Sequence, residues 1–247
     1  MEHQSEARAF AASSTAAAPR MDIYATIHKA LRAMMMDTLH AVGRIDVHDT
    51  AELRSVCERV LELADICASH LGHENDFVHP AMEARRPGAS GHVASEHVEH
   101  LAVIAQLRGA VSGLCAACRG PVREQAALDL YRRLALFVAE NFAHMQIEET
   151  EHNRVLWDCY SDDELRALEG RIVASLPPSE NLTIMRWLIP AMTPAERAEL
   201  LAQMQAAAPA PAFAAVLDTV QPYLSQRDWA KLGSALAPAQ VPAWIVA

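Results

Sequence analysis

Aromatic residues supply only 5% of this 247-residue chain, and glycine only 9 positions. Both shortages favour alanine-rich and leucine-rich helices over sheets. No stretch approaches the ~18 consecutive apolar residues of a membrane span. Basic runs are missing too. Lys+Arg 21 against Asp+Glu 31 leave a formal net charge of -10, which makes nucleic acid or an anionic membrane a poor partner. The first residues carry early acids (Glu2, Glu6) and no apolar core of a secretory signal, so a cytoplasmic location is expected. Cysteines are few and odd in number: Cys57, Cys67, Cys115, Cys118 and Cys159. They read as small apolar thiols in a reducing compartment. Cys115-Ala-Ala-Cys118 has redox-motif spacing but follows no strand pattern, so no chemistry is assigned to it.

Histidine, by contrast, is abundant at 12 residues. Their placement depends on the helical pattern. Residues 1–20 are rich in Ala and Ser and read as a flexible arm. Four long periodic segments follow. The first spans about 21–42, with the stripe Tyr24, His28, Leu31, Met35, Thr38, Val42. The second spans about 51–84, with Leu53, Val56, Val60, Leu63, Cys67, His70, Glu74, Phe77, Ala81. The third spans about 92–115, with Val93, His97, His100, Ile104, Leu107, Val111, Leu114. The fourth spans about 122–159, with Leu130, Leu134, Phe137, Asn141, His144, Glu148, Glu151, Val155. The alternating three-and-four spacing is that of a bundle seam. Short links favour antiparallel neighbours, so residues 21–160 predict an all-α, up-down-up-down four-helix bundle. Residues 161–247 predict a small all-helical extension. Ser161-Asp-Asp-Glu164 and Thr193-Pro-Ala-Glu196 open helices there in capping fashion, and it contains no histidine.

His-x-x-x-Glu puts an imidazole and a carboxylate one turn apart on one helix face. The spacing occurs at His48/Glu52, His70/Glu74, His79/Glu83, His92/Glu96 and His144/Glu148. Only His70/Glu74 and His144/Glu148 lie on an apolar stripe; the other three are expected in solvent. His28, His70, Glu74, His97, His100, His144 and Glu148 also fall at one end of an antiparallel bundle, within roughly 10–20 Å of it at 1.5 Å rise per residue. A single inward histidine is ordinarily a hydrogen-bonded core residue. Four stripes that turn polar at one level are harder to explain without a cation, because burying unpaired carboxylates and imidazoles costs several kcal/mol each. Two divalent ions would resolve it, with each Glu able to bridge both and imidazoles at terminal positions. Nitrogen and oxygen donors without thiolate suit non-haem iron, with manganese or zinc as further candidates.

These residues resemble the hemerythrin-like, or HHE cation-binding, family. The matching pieces are Ile27-His28-Lys29-Ala30-Leu31-Arg32, His70-Leu-Gly-His-Glu74-Asn-Asp-Phe-Val-His-Pro80, Glu96-His97-Val-Glu-His100-Leu and His144-Met-Gln-Ile-Glu148-Glu149. The resemblance implies a four-helix bundle with a di-iron site. His28, His70, His97 and His144 would be terminal ligands, and Glu74 and Glu148 the bridges. On the third helix either His97 or His100 could ligate, and His97 has the family's spacing to Ile104 and Leu107. Oxygen carriers of the family have a second histidine one turn away on the third helix, where this chain has Val93. They place an aspartate five positions after the fourth-helix histidine, where this chain has Glu148 at four. The resemblance therefore implies a protein that binds or senses dioxygen, nitric oxide or a related small molecule. An oxidoreductase acting on peroxide or a diatomic gas is the alternative, with Glu151, His152 and Tyr24 as helpers, and iron storage ranks last. A sensor would pass its signal through the extension to a partner protein or a second copy, and would need no buried pocket for an organic substrate.

Overall fold

The computed structural model describes residues 20–237, so the expected arm at 1–20 lies outside the described residues apart from Arg20. Every regular element among them is helical. Helix α1 (Ala25–Gly43) is started by Asp22, whose carboxylate accepts from the backbone amides of Tyr24 and Ala25. At its end, a Cβ on Gly43 would come within 3.0 Å of the Tyr131 ring, so glycine allows the close approach. Helix α2 (Thr50–His73) is capped by Asp49, which accepts from Ala51 and Glu52 amides. A π-helical turn, Glu74–Val78, joins α2 to α3 (His79–Arg85) without a break. Helix α4 (Gly91–Ala116) and helix α5 (Pro121–Ile147) follow. Pro121 occupies the first turn of α5, where no amide is required. A second π turn, Glu148–His152, joins α5 to α6 (Asn153–Cys159).

Helix α1 packs on α2 and α5, and α4 packs on α2 and α5, which closes a ring of contacts. All four feed one core, including Leu31, Met35, Leu63, Ile104, Leu107 and Leu134. Each such side chain contributes roughly 1.5–3 kcal/mol on burial. The apolar stripes hold up to the π turns and slip there by one residue. Val78 and Met82 are buried where Phe77 and Ala81 were expected. His152 and Leu156 are buried in place of Glu151 and Val155. A π turn carries one extra residue, and everything beyond it rotates by about one helical position. His79, expected in solvent, is therefore buried. Glu83, also expected in solvent, accepts from the Gly88 and Ser90 amides and the Ser90 hydroxyl and so orders the Gly88 turn. Cys115 faces Cys57 of α2 with the sulfurs 3.6 Å apart, so it is not paired with Cys118.

The extension comprises α7 (Asp162–Ser175), α8 (Pro178–Ala191), α9 (Pro194–Ala207), α10 (Ala210–Val220) and α11 (Gln226–Leu236). Capping boxes at Ser161/Glu164 and Thr193/Glu196 open α7 and α9. Ile189, Leu201, Phe213, Val216, Val220 and Leu232 form a separate small core. Buried Arg197 donates to the carbonyls of Ile189 and Met192 and satisfies the end of α8. Helix α8 lies on α1, and α7 lies on the first π turn. Lys29 of α1 donates to Glu196 at 2.6 Å, and Arg85 pairs with Glu164 while stacking 3.7 Å from the Tyr160 ring. No helix among the described residues is long and apolar enough to cross a membrane.

Glu196 tests this docking. Lys29 first, then the Thr193 amide, hold its pKa down from 4.5 to about 2. The stabilisation it gives is complete above the unfolded value and fades as pH falls through the folded one. Glu196→Gln should therefore lower the melting temperature near neutral pH, and the difference from the parent should close as pH approaches about 2. Thermal melts of both proteins across that range check this.

Candidate metal centre

The polar residues come together where α1, α2, α4 and α5 meet. His28 and Glu148 are fully buried, and Glu74, His97 and His144 are nearly so. Their donor atoms form two groups, His28–His70–Glu74–Glu148 and Glu74–His97–His144–Glu148, that share both carboxylates. The division of oxygens is orderly. Glu74 Oε1 lies 3.1 Å from His70 Nε2 and 3.9 Å from His28 Nε2, while its Oε2 lies 3.5 Å from His97 Nε2. Glu148 Oε2 lies 3.5 Å from His28 Nε2, while its Oε1 lies 3.3 Å from His144 Nε2 and 3.6 Å from His97 Nε2. Each carboxylate thus turns one oxygen to each pair of imidazoles.

For three of the four rings, His28, His97 and His144, a partner on the far side fixes the tautomer. His28 Nδ1 lies 3.0 Å from Glu149 Oε1, His97 Nδ1 lies 2.9 Å from Asn75 Oδ1, and His144 Nδ1 lies 2.7 Å from Glu96 Oε2. An acceptor on Nδ1 keeps the proton there and leaves Nε2 with a lone pair. Those lone pairs point inward. His28 Nε2 and His70 Nε2 are 3.3 Å apart, and His97 Nε2 and His144 Nε2 are 3.1 Å apart. All four oxygens of Glu74 and Glu148 are buried without a hydrogen-bond partner. Orphaned lone pairs in a dry core require a cation, so the residues fit a metal ion in each group.

Without metal, protons must take that role. Burial alone would lower the pKa values of His28 and His144. Glu149 and Glu74 around His28, and Glu148 and Glu96 around His144, reverse this and bring each to about 9. Burial first, and the Glu148 charge second, push Glu74 up to about 8. Glu148 stays low against its burial because His144 and His97 stand beside it. Burial drops His70 to about 3, with the neighbouring His28 charge adding to it.

Of the seven residues expected from sequence, the structure brings six into the two groups. His100 is buried but joins neither, and its ring lies 4.6 Å from that of His144. Two histidines not assigned as ligands form a third group around Glu148: His79 and His152. The ring of His79 stacks 4.9 Å from that of His97, and Tyr24 Oη lies 3.1 Å from His152 Nδ1. Glu96, placed in solvent by its stripe, instead holds His144. Glu151, offered as a helper, is exposed. A useful signal was available for Glu96 and Glu149. A metal-binding imidazole ordinarily donates its second N–H to an acceptor, and both acids sit beside an expected ligand in sequence. No known protein-family model matches the chain, and no curated protein does either.

Metal uptake must displace the protons on His28 and His144, raised to about 9, and on Glu74, raised to about 8, all above neutral pH. Cobalt affinity should climb by about tenfold per pH unit for each proton released, and level off above about pH 9. Visible-band titrations at several pH values measure this. Glu74→Ala or Glu148→Ala should lose metal and the stabilisation that metal confers, so that melting temperatures with and without metal coincide. His100→Ala should leave the metal content by elemental analysis equal to that of the parent, because its ring lies outside both groups.

Proposed function

We propose that the chain is a hemerythrin-like protein whose first four long helices, α1, α2, α4 and α5, form an antiparallel up-down-up-down bundle around two iron ions. Its role on this reading is to bind or sense dioxygen, nitric oxide or a related small molecule. The division of the Glu74 and Glu148 oxygens between two pairs of inward Nε2 atoms carries the proposal. Such a set gives each ion four donors and leaves room for a small ligand on an ion that prefers more. Manganese or zinc could use the same donors.

Ferrous ions held by His28, His70, Glu74, His97, His144 and Glu148 would supply the reducing electrons for a bound diatomic molecule. The chain does the rest. Glu149, Asn75 and Glu96 hold the Nδ1 protons, so His28, His97 and His144 keep their lone pairs aimed inward. Phe137 of the packed core stands on one side, its ring 6.5 Å from that of His100. Tyr24, His79 and His152 stand on another side, next to Glu148.

That last trio favours oxidoreduction as the second reading. Neutral imidazoles next to a phenol can pass protons to a reacting ligand. Burial lowers the pKa of His79 to about 4 and also lowers that of His152, so both are neutral near pH 7. Storage is disfavoured. A ferritin-like site would use Glu149 with His152, but Glu149 is already held by Arg32 at 2.6 Å and by His28.

Anaerobic loading with ferrous iron followed by air should give about two irons per chain, with new near-ultraviolet charge-transfer bands. Absence of any stoichiometric metal would reduce the inward histidines to core hydrogen-bonding residues. Peroxide added to the reduced protein then separates the two readings. One stoichiometric oxidation supports a sensor, and many turnovers support an enzyme.

A further inference from the structure

A chamber of about 150 Å³ lies between the first two long helices and the extension. Ile27 of α1, Ile66 of α2, Ile172 of α7, and Ile184 and Leu188 of α8 form its walls. Its lining includes His70 and Glu74, the two members of the first group that lie on α2 and the π turn. Voids of this size are uncommon in close-packed interiors. An apolar cavity of about this volume stays dry and admits a molecule the size of benzene.

The lining also restricts charge. Among the described residues it includes Glu169 and Glu180 but no lysine or arginine, which disfavours an anion. Glu180 is itself engaged by the Ser69 hydroxyl, and Glu169 is half-buried. Neither offers the free, solvated carboxylate that would hold a cation. The extension thus supplies part of a largely apolar room that also touches His70 and Glu74, a room that a pure diatomic sensor does not need.

We propose that this chamber binds a small, neutral, apolar organic molecule of benzene-to-phenol size, with its polar end, where it has one, against His70 and Glu74. The position relative to the metals rests on the di-iron reading above. Binding itself rests only on the chamber.

Toluene and its charged analogue benzoate can be titrated calorimetrically into the full chain, both metal-free and cobalt-loaded. Toluene should bind saturably, one per chain, in both forms, with benzoate weaker by about tenfold or more. Ile184→Trp should fill the chamber and weaken toluene by about tenfold or more. Val173→Trp, at the exposed rim where folding is least at risk, should do likewise with helicity intact by circular dichroism. Phenol should shift the visible bands of the cobalt form. Absence of saturable toluene binding, equal binding of benzoate, or indifference to both tryptophan substitutions would overturn the chamber. Toluene binding by a chain that takes up no cobalt would keep the chamber and sink the metal reading.

Discussion

Imidazole lone pairs and four carboxylate oxygens converge in a space from which water is excluded, and the rest of the structure answers to that constraint. Left alone, the arrangement is costly, because each group has lost its hydration and gained a neighbour that also needs a positive charge. A proton on His28 and another on His144 relieve part of it. Two metal ions would relieve all of it, since they face every donor at once. Glu149, Asn75 and Glu96 are needed for the same reason. By accepting from Nδ1 they stop the rings from turning their N–H inward and satisfying the carboxylates cheaply. The centre is thus held away from its easiest relief by hydrogen bonds made on the outer side of the rings.

The two π turns belong to the same problem. Each begins at a carboxylate of the centre, Glu74 or Glu148. Each inserts one residue into a helix that must present a ligand on one turn and further polar groups on the next. A continuous α-helix would bring Phe77, Ala81, Glu151 and Val155 to the seam. The extra residue brings His79 and His152 instead, and sets Val78, Met82 and Leu156 as the apolar floor below them. A π turn has poorer backbone geometry than the α-helix it interrupts and persists where surrounding contacts over-determine it. Here those contacts are α6 and α7, which pack Leu156, Leu165 and Leu168 against Val78 and Met82.

This explains which parts of the structure were legible in the sequence. Helical periodicity locates the four long helices, and the interruption of four stripes at one height locates His28, His70, Glu74, His97, His144 and Glu148. Both signals are local or depend only on chain direction. Periodicity fails one residue past each carboxylate, because it assumes 3.6 residues per turn where the chain uses more. It therefore sends His79 to solvent. His100 falls on the stripe and is buried, yet burial on a stripe does not fix which way a ring faces. The acceptors Glu96, Glu149 and Asn75 lie on helices other than those of the rings they hold, so a helix-by-helix reading cannot pair them. The capping boxes of the extension were readable from four residues each, but its position was not.

That position gives the extension a physical part in the centre. Helix α7 covers the first π turn, and α8 lies along α1, so His70 and Glu74 face a largely apolar wall. Excluding water strengthens every interaction between the carboxylates, the imidazoles and whatever cation they hold, because the local dielectric falls. It also raises the penalty for leaving those groups unpaired. Polar ties between the extension and the first helices, Lys29 to Glu196, Arg85 to Glu164, Glu62 to Arg186 and Ser69 to Glu180, are partly exposed and of modest strength, and the packing of Ile184 and Trp187 on the main core adds to them. An occupant of the chamber would lie against Glu74, the one lining residue whose carboxylate belongs to both groups, so filling the chamber and filling the centre bear on the same side chain.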